Sequence, residues 1–411
     1  MSSRLLAALR TSVGIQTEGV PAALWWLSAG MVIQSMGFSF FWPFVTIYVH
    51  YGLHRSLADA GLLLLLQSAA SILGSWVGGL LYDRIGGRQV TIWSLVASIA
   101  LFVALALVRP FWMFTALSAA LGLTTGLIWP AMNAWAGSVW PEGGRSAFNL
   151  VYVARNLGVA VGTMFGGLVA EVSLAVAFLA AALFFALFLL IVLVRFSGPG
   201  FEHAVVVHRS ARGPRSPVAA PVVMLSLGMA VLWIAYSQMS SILPTFMRAE
   251  GYSLPQYSLL WTLNGVLIVV GQPLVSWFVV KTKDIRHHIL TGTTLMVAGF
   301  VVLAATTSYL GYLAAMALAT FGEMLVFPGV PAAADRLATD EVRGRYQGII
   351  AAASSVGRMF GPLVGGLVAS AVARPSYYLL MTVGFVFALA LFALVSPARE
   401  ERVGVGVHAS S

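Results

Sequence analysis

Cysteine is absent from this chain, which excludes disulfides and thiolate metal sites outright. Charge is scarce as well: Asp, Glu, Lys and Arg together make up 9% of the 411 residues, where a soluble domain carries about a quarter. A chain that is 59% hydrophobic with so little charge belongs to the polytopic membrane class. No Walker A loop occurs, so ATP does not drive this protein directly. His203, His208 and His408 fall between or beyond the apolar runs, His287 and His288 at the cytoplasmic start of the ninth, and His50 and His54 at the edge of the first. None has metal-ligand spacing with a carboxylate, so no metal, no cofactor and no enzymatic centre is expected. A cleavable signal peptide is excluded by the length of the first apolar run and its lack of a small-residue cleavage site. The net charge of +9 would point to nucleic acid in a soluble chain. Here positively charged loops beside a membrane account for it.

What is present is a series of apolar runs of spanning length. They fall near 22–48, 57–81, 88–108, 112–136, 147–170 and 174–195, then 219–245, 256–280, 286–307, 310–334, 346–371 and 375–396. The expected fold is therefore all-α, with twelve transmembrane helices in two halves of six. The organisation is a leader over 1–21, a first bundle over 22–196, a linker over 197–218, a second bundle over 219–396 and a tail over 397–411. Leader, linker and tail are expected in the cytoplasm. With the N-terminus inside, the inner segments hold seventeen Lys and Arg and the outer ones four, with Arg155 and Arg358 left within spans. That bias is the positive-inside pattern.

The halves repeat. Gly158, Gly162, Gly166 and Gly167 in span five recur as Gly357, Gly361, Gly365 and Gly366 in span eleven, an offset of 199 residues. Trp129-Pro130 in span four recurs as Phe327-Pro328 in span ten. Such parallel repeats around a central cavity are a transporter architecture.

The densest chemistry lies between Thr320 and Gly366. Of the fourteen acids in the chain, Glu323 alone lies deep within a span. Glu323 and Arg358 each sit twelve residues from the nearest helix end expected at the membrane surface, or ~18 Å at the helical rise. Half the hydrocarbon core is only ~15 Å, so both belong near the midplane. A charge there costs ~2.5–3.5 kcal/mol on the mildest scale and needs a partner or a task. Two readings stand side by side: a proton-carrying Glu323 modulated by Arg358, or a static ion pair locking spans ten and eleven. Arg358 could also anchor an anionic substrate, while Arg155, shallower in span five, reads as structural.

The loop after span two, Gly79-Leu-Leu-Tyr-Asp83-Arg84-Ile-Gly86-Gly87-Arg88, resembles motif A of the major facilitator superfamily, departing at Gly87 where the family has a basic residue. Gly357–Gly366, with Gly361 and Pro362 at its centre, resembles motif C of the family's drug/proton antiporters. There that motif lies in span five; here span five has Thr163 in place of the proline. The chain is similar to bacterial multidrug/proton antiporters of the lactococcal type, which also carry a membrane-embedded glutamate in span ten. It lacks their other membrane acids and the motif B arginine of span four.

The resemblance implies a proton-coupled secondary transporter, usually monomeric, in a bacterial cell membrane. It would work by alternating access and export hydrophobic or cationic small molecules. Motif A (Gly79, Asp83, Arg84, Gly86, Arg88) would clasp the cytoplasmic edge in the outward-facing state. Spans one, four, seven and ten line the cavity in this family. That nominates Gln34, Phe38, Trp42, Trp129, Trp233, Gln238 and Phe327 as substrate-binding residues, with Asn264 of span eight added for its polarity. The rivals are a proton-coupled carrier of an organic anion or sugar anchored by Arg358, and a membrane sensor that moves nothing.

Overall fold

The structure, a computed structural model, describes residues 19–140, 145–197, 218–282, 284–339 and 342–395. Most of the expected leader, the linker and the tail therefore lie outside the described residues, as do the side chains of Asp83, Trp129 and Asn133. The described chain is helical, with no strand among these residues. Its elements are α1 (Ala22–Ser39), α2 (Val45–Ile47, continued by a π-turn over Tyr48–Gly52), α3 (Leu57–Ile85), α4 (Gly87–Leu107) and α5 (Phe111–Val139). Next come α6 (Arg145–Val172), α7 (Leu174–Arg195), α8 (Ala220–Tyr236), α9 (Gln238–Ser241) and α10 (Leu243–Ala249). The remaining five are α11 (Leu254–Thr282), α12 (Ile285–Ala305), α13 (Tyr309–Arg336), α14 (Arg343–Ala371) and α15 (Arg374–Ala393). Eleven helical runs among the described residues are long and apolar enough to cross a membrane. The twelfth crossing is the interrupted pair α1 and α2.

Helix ends follow local chemistry. Ser56 and Asp59 form a reciprocal capping box at the start of α3, each side chain accepting from the other's backbone N–H, at 3.0 and 3.2 Å. Ser173 starts α7 by accepting from Val176 N, and Asp284 starts α12 by accepting from Arg286 N at 2.9 Å. Between α3 and α4, Gly86 adopts φ +84°, a left-handed value that favours glycine. Gly87 then faces the Tyr82 ring, which a Cβ would meet at 2.1 Å. A basic side chain at Gly87, usual in motif A, has no room here.

The first and seventh crossings break at corresponding places. α1 stops at Ser39, and the chain turns through Phe40–Phe44, where Pro43 lacks the N–H a continuing helix needs. α8 stops at Tyr236, and short α9 leads to Pro244 in the first turn of α10. At Trp42-Pro43 the helix is thus fully broken, whereas α13 runs on through Pro328 and Pro331.

The glycine repeat explains how each half is stitched. Gly158 lets α6 approach α1 so closely that a Cβ would lie 2.4 Å from the Val32 carbonyl oxygen. Gly357 does the same between α14 and α8, against the Ala230 carbonyl at 2.3 Å. Small residues at such crossings substitute for the hydrophobic driving force that lipid removes. Around these seams, Phe41, Phe102, Phe178, Phe185 and Phe188 fill the first half, and Phe300, Tyr377, Tyr378 and Phe385 the second. Trp76, Leu107 and Leu310, by contrast, present their side chains outward, as a lipid-facing surface requires.

The two halves meet toward one face, opposite the one that carries the start of α1. There α3 lies against α14, with Gly61 beneath the Pro362 carbonyl and Gly366 beneath that of Leu57. In parallel, α6 lies against α11: Glu171 accepts from Leu254 N at 2.8 Å, and Thr262 donates to the Ala160 carbonyl at 3.2 Å. Arg248 adds an ion pair to Glu171 at 2.9 Å, and Tyr51 donates to the Thr245 carbonyl at 3.4 Å. Trp42 stands edge-on to Trp261 across the same seam, ring centroids 5.1 Å apart. Nearer the face of the N-terminus, Gly348 of α14 and Gly79 of α3 face open space. The seam is closed toward that face, and the two glycines nearer the opposite face are left without neighbours.

Candidate functional site

Gly322 of α13 packs against the backbone of α12, where a Cβ would meet the Gly292 carbonyl at 2.6 Å. A helix turns 100° per residue, so the next residue, Glu323, is swung away from α12 toward α8 and α11. It is buried there, 8% exposed. One carboxylate oxygen accepts a short hydrogen bond from the Tyr236 hydroxyl. The other accepts from Asn264 Nδ2 at 2.6 Å, and that amide also donates to Thr320 Oγ1 at 3.0 Å. All these donors are neutral.

The Tyr236 ring connects this acid to an aromatic wall. Trp233, one turn earlier on α8, stacks on Phe327 with centroids 4.4 Å apart and planes 7° from parallel. Tyr236 stands edge-on to both, at 5.5 Å in each case. The Arg358 guanidinium lies over the outer face of Trp233, 4.6 Å from the ring centroid, a cation–π arrangement. It also donates to Ser355 Oγ at 3.2 Å. Four helices therefore supply one continuous cluster: α8, α11, α13 and α14.

The structure brings together Glu323, Arg358, Trp233, Phe327 and Asn264 from the residues nominated by sequence. It does not form the Glu323–Arg358 ion pair. Gly357 directs α14 onto α8, leaving Arg358 on the far side of Trp233, and Glu323 finds its partners on α8 and α11 instead. Gln238 is placed away from this cluster. It is fully buried, donating to the Gly361 and Ile234 carbonyls and accepting from the Tyr377 hydroxyl at 2.7 Å and from Ser241. It bolts α9 to α14 and α15. Gln34 and Phe38 are half-buried on α1, Phe38 beside Phe41. Trp42 belongs to the closed seam. Trp129 lies outside the described side chains, and so does Asp83 of motif A.

The rest of motif A is described. Gly79 faces open space, Arg84 is exposed, Gly86 makes the turn, and Arg88 donates to the Leu193 carbonyl at the end of α7. The motif C residues have two tasks: Gly357 and Gly361 seat α14 on α8, and the Pro362 carbonyl meets the first half at Gly61.

Two further residues belong to the site. Tyr236 is set apart from the other polar positions of span seven by its bond to Glu323. Tyr152 of α6, from the other half, lies within electrostatic range of Glu323 and Tyr236. Its signal was the one-face spacing of Tyr152, Arg155 and Asn156 on a helix.

Two apposed six-helix sets with glycine seams and motif A are what the comparison with protein families then bears on. The profile of the Major Facilitator Superfamily matches residues 27–350, and again 286–408. The chain belongs to the major facilitator superfamily. It is 41% identical over 353 residues to the uncharacterized transporter YttB of Bacillus subtilis, covering 85% of this chain and 88% of that one. It is 23% identical to a Na+, Li+, K+/H+ antiporter of Planococcus maritimus, covering 81% of this chain and 86% of the other. It is 26% identical to the class C tetracycline resistance protein of Escherichia coli, covering 74% and 78%. This superfamily member is thus a membrane transporter and not an enzyme.

Proposed function

We propose that this protein is a proton-coupled antiporter that exports amphipathic organic compounds, with Glu323 as its proton-carrying group. One observation carries the reading. Glu323 is a buried carboxyl held, among the described residues, by neutral donors, and one of them, Tyr236, packs edge-on against Trp233 and Phe327. An ionised carboxylate accepts from both Tyr236 and Asn264, whereas a protonated one has a hydrogen to donate. Proton uptake therefore forces one of these partners to re-aim. Because Tyr236 touches Trp233 and Phe327, that change is delivered to the surface a substrate would meet.

Two further points support export. The Lys and Arg bias favours a cytoplasmic N-terminus, which would set the closed seam on the outer side, opposite the compartment from which an exporter loads. The relatives include a protein named as a proton antiporter and one named for tetracycline resistance.

The test is proton movement in proteoliposomes holding a pH-sensitive dye. Purified wild type and Glu323→Gln would meet a panel of amphipathic cations, neutral compounds, organic anions and sugars. Substrate-driven proton flux is expected in the wild type, reduced at least about tenfold in Glu323→Gln, equivalent to about 1.4 kcal/mol. Transport by Glu323→Gln with unchanged pH dependence would remove Glu323 from the role. Absence of flux with every compound would favour a sensor over a carrier.

A further inference from the structure

α11 ends at Thr282 and α12 begins at Ile285, yet the two pack on different neighbours. α11 lies along α6 of the other half, and α12 along α13 and α15. The wedge between them, backed by α13, is a groove of about 240 Å³. Its walls are Leu274, Trp277 and Phe278 of α11, Leu295 of α12, and Phe321 and Leu325 of α13. One turn before Leu274, Gly271 admits the Phe321 ring, which a Cβ would meet at 2.9 Å. Leu274 and Trp277 are each 58% exposed, so the groove opens outward, where lipid surrounds a membrane protein. The volume is below the roughly 300–1,000 Å³ of sites that enclose a whole drug-sized ligand, and it suits one chain of a larger molecule. Leu274 stands eight residues before the end of α11 at Thr282, or ~12 Å at the helical rise. Half the hydrocarbon core is ~15 Å, so the groove lies at acyl-chain depth in the leaflet on the side of that turn. Its mouth there is basic. Exposed Lys281 places its ammonium 4.8 Å from the centroid of the Trp277 ring, the ring that lines the groove. α13 ends on the same side with Arg336 in its last turn. The carboxylate of the turn, Asp284, is already engaged, by Arg286 N at 2.9 Å and His287 Nδ1 at 2.8 Å.

We propose that this groove binds an anionic phospholipid, with one acyl chain between α11, α12 and α13 and the headgroup phosphate at Lys281. The apolar walls accept any acyl chain, so charge at the mouth decides the class. A lysine at a membrane surface favours an anionic headgroup about fivefold, and an exposed indole beside it suits the headgroup level. The position has a mechanical consequence. α11 carries the Leu254 and Thr262 bonds to α6 of the other half. A lipid in the wedge braces α11 from behind that interface, and so biases the equilibrium between open and closed arrangements whatever the cargo.

The test uses full-length protein in phosphatidylcholine vesicles and two quenching lipids with the same brominated acyl chain. One is phosphatidylglycerol and the other phosphatidylcholine, so they differ in headgroup charge alone. Subtracting the fluorescence of Trp277→Phe from that of the wild type isolates the indole at the groove. That component should reach half-maximal quenching at about fivefold lower mole fraction of the glycerol lipid. Lys281→Gln should erase the preference while leaving quenching by the choline lipid unchanged, and Lys281→Arg should keep it. Leu295→Phe, which narrows the groove, should weaken quenching of Trp277 by both lipids. The two-lipid comparison uses the native groove and Lys281, so failed folding of a Lys281 or Leu295 variant leaves it decisive. Equal mole fractions for the two lipids would mean ordinary boundary lipid and would overturn the proposal. A preference that survives Lys281→Gln would overturn it as well. Trp277 unquenched by either lipid would mean that protein, such as a second copy of this chain, covers the groove, and that too would end the idea.

Discussion

At the scale of single residues, Tyr236 and Gln238 show how neighbouring polar positions take different work. They are two apart on one broken helix, yet Tyr236 points at Glu323 and Gln238 at the α14 and α15 backbone and hydroxyl groups. Tyr236→Phe deletes one donor from the buried acid without emptying the aromatic wall. It should shift the pH dependence of transport and lower stability modestly, by about 0.6–2 kcal/mol for an interhelical hydrogen bond. Gln238→Ala removes several bonds at once and should lower the melting temperature more than Tyr236→Phe does, while proton-to-substrate stoichiometry stays unchanged. Melting followed in detergent, alongside liposome flux, separates the two. Equal loss of coupling in both variants would erase the distinction drawn between them.

At the scale of the element, helix starts set where each crossing begins. Asp284 caps α12, and the Arg286 backbone N–H holds its carboxyl below the ordinary value of 3.8, helped by His287 and opposed by partial desolvation. A depressed carboxylate stabilises the fold above its unfolded range, and that contribution is lost as pH falls through the folded value. Asp284→Ala should therefore cost about 1 kcal/mol near neutrality. The gap from wild type should narrow as pH drops below the 3.8 range. A gap that widened in acid would contradict the cap. Broken α1 with α2, and broken α8 with α9 and α10, belong to this scale too. Proline placement predicts the first break, and the second depends on Ser237 and Pro244 together.

At the scale of the whole molecule, the closed seam is a set of weak contacts that alternating access must break. Glu171 is its most polar member, accepting from Leu254 N and Arg248 at once. Glu171→Gln should shift the equilibrium away from the state described here by about two- to fivefold, the size of a partly exposed ion pair. The absence of native cysteine makes this measurable directly. Spin labels on cysteines introduced at Gly79 and Gly348, which face open space on α3 and α14, should move closer together in the variant. An unchanged distance distribution would mean the ion pair does not hold the seam. The same logic applies to Gly61, where an added methyl would press on the Pro362 carbonyl.

The sequence by itself determined the class, the spans and the family. Apolar runs of fixed length, a Lys and Arg bias and a glycine repeat are one-dimensional signals, and each has a one-dimensional cause in bilayer thickness or helix contact. It also singled out Glu323, because an acid so deep in an apolar run stands out wherever the helix points. What Glu323 bonds to was decided only by the tertiary structure. Equal depth in the membrane made Arg358 look like its partner, but depth leaves rotation about each helix axis free. Rotation is set by where Gly322 meets α12 and where Gly357 meets α8. Those contacts turned the acid toward Tyr236 and Asn264, and the arginine toward Trp233 and Ser355. The bond from Leu254 N to Glu171 across the interface has the same origin: two positions 83 residues apart in the chain become neighbours only when the halves dock.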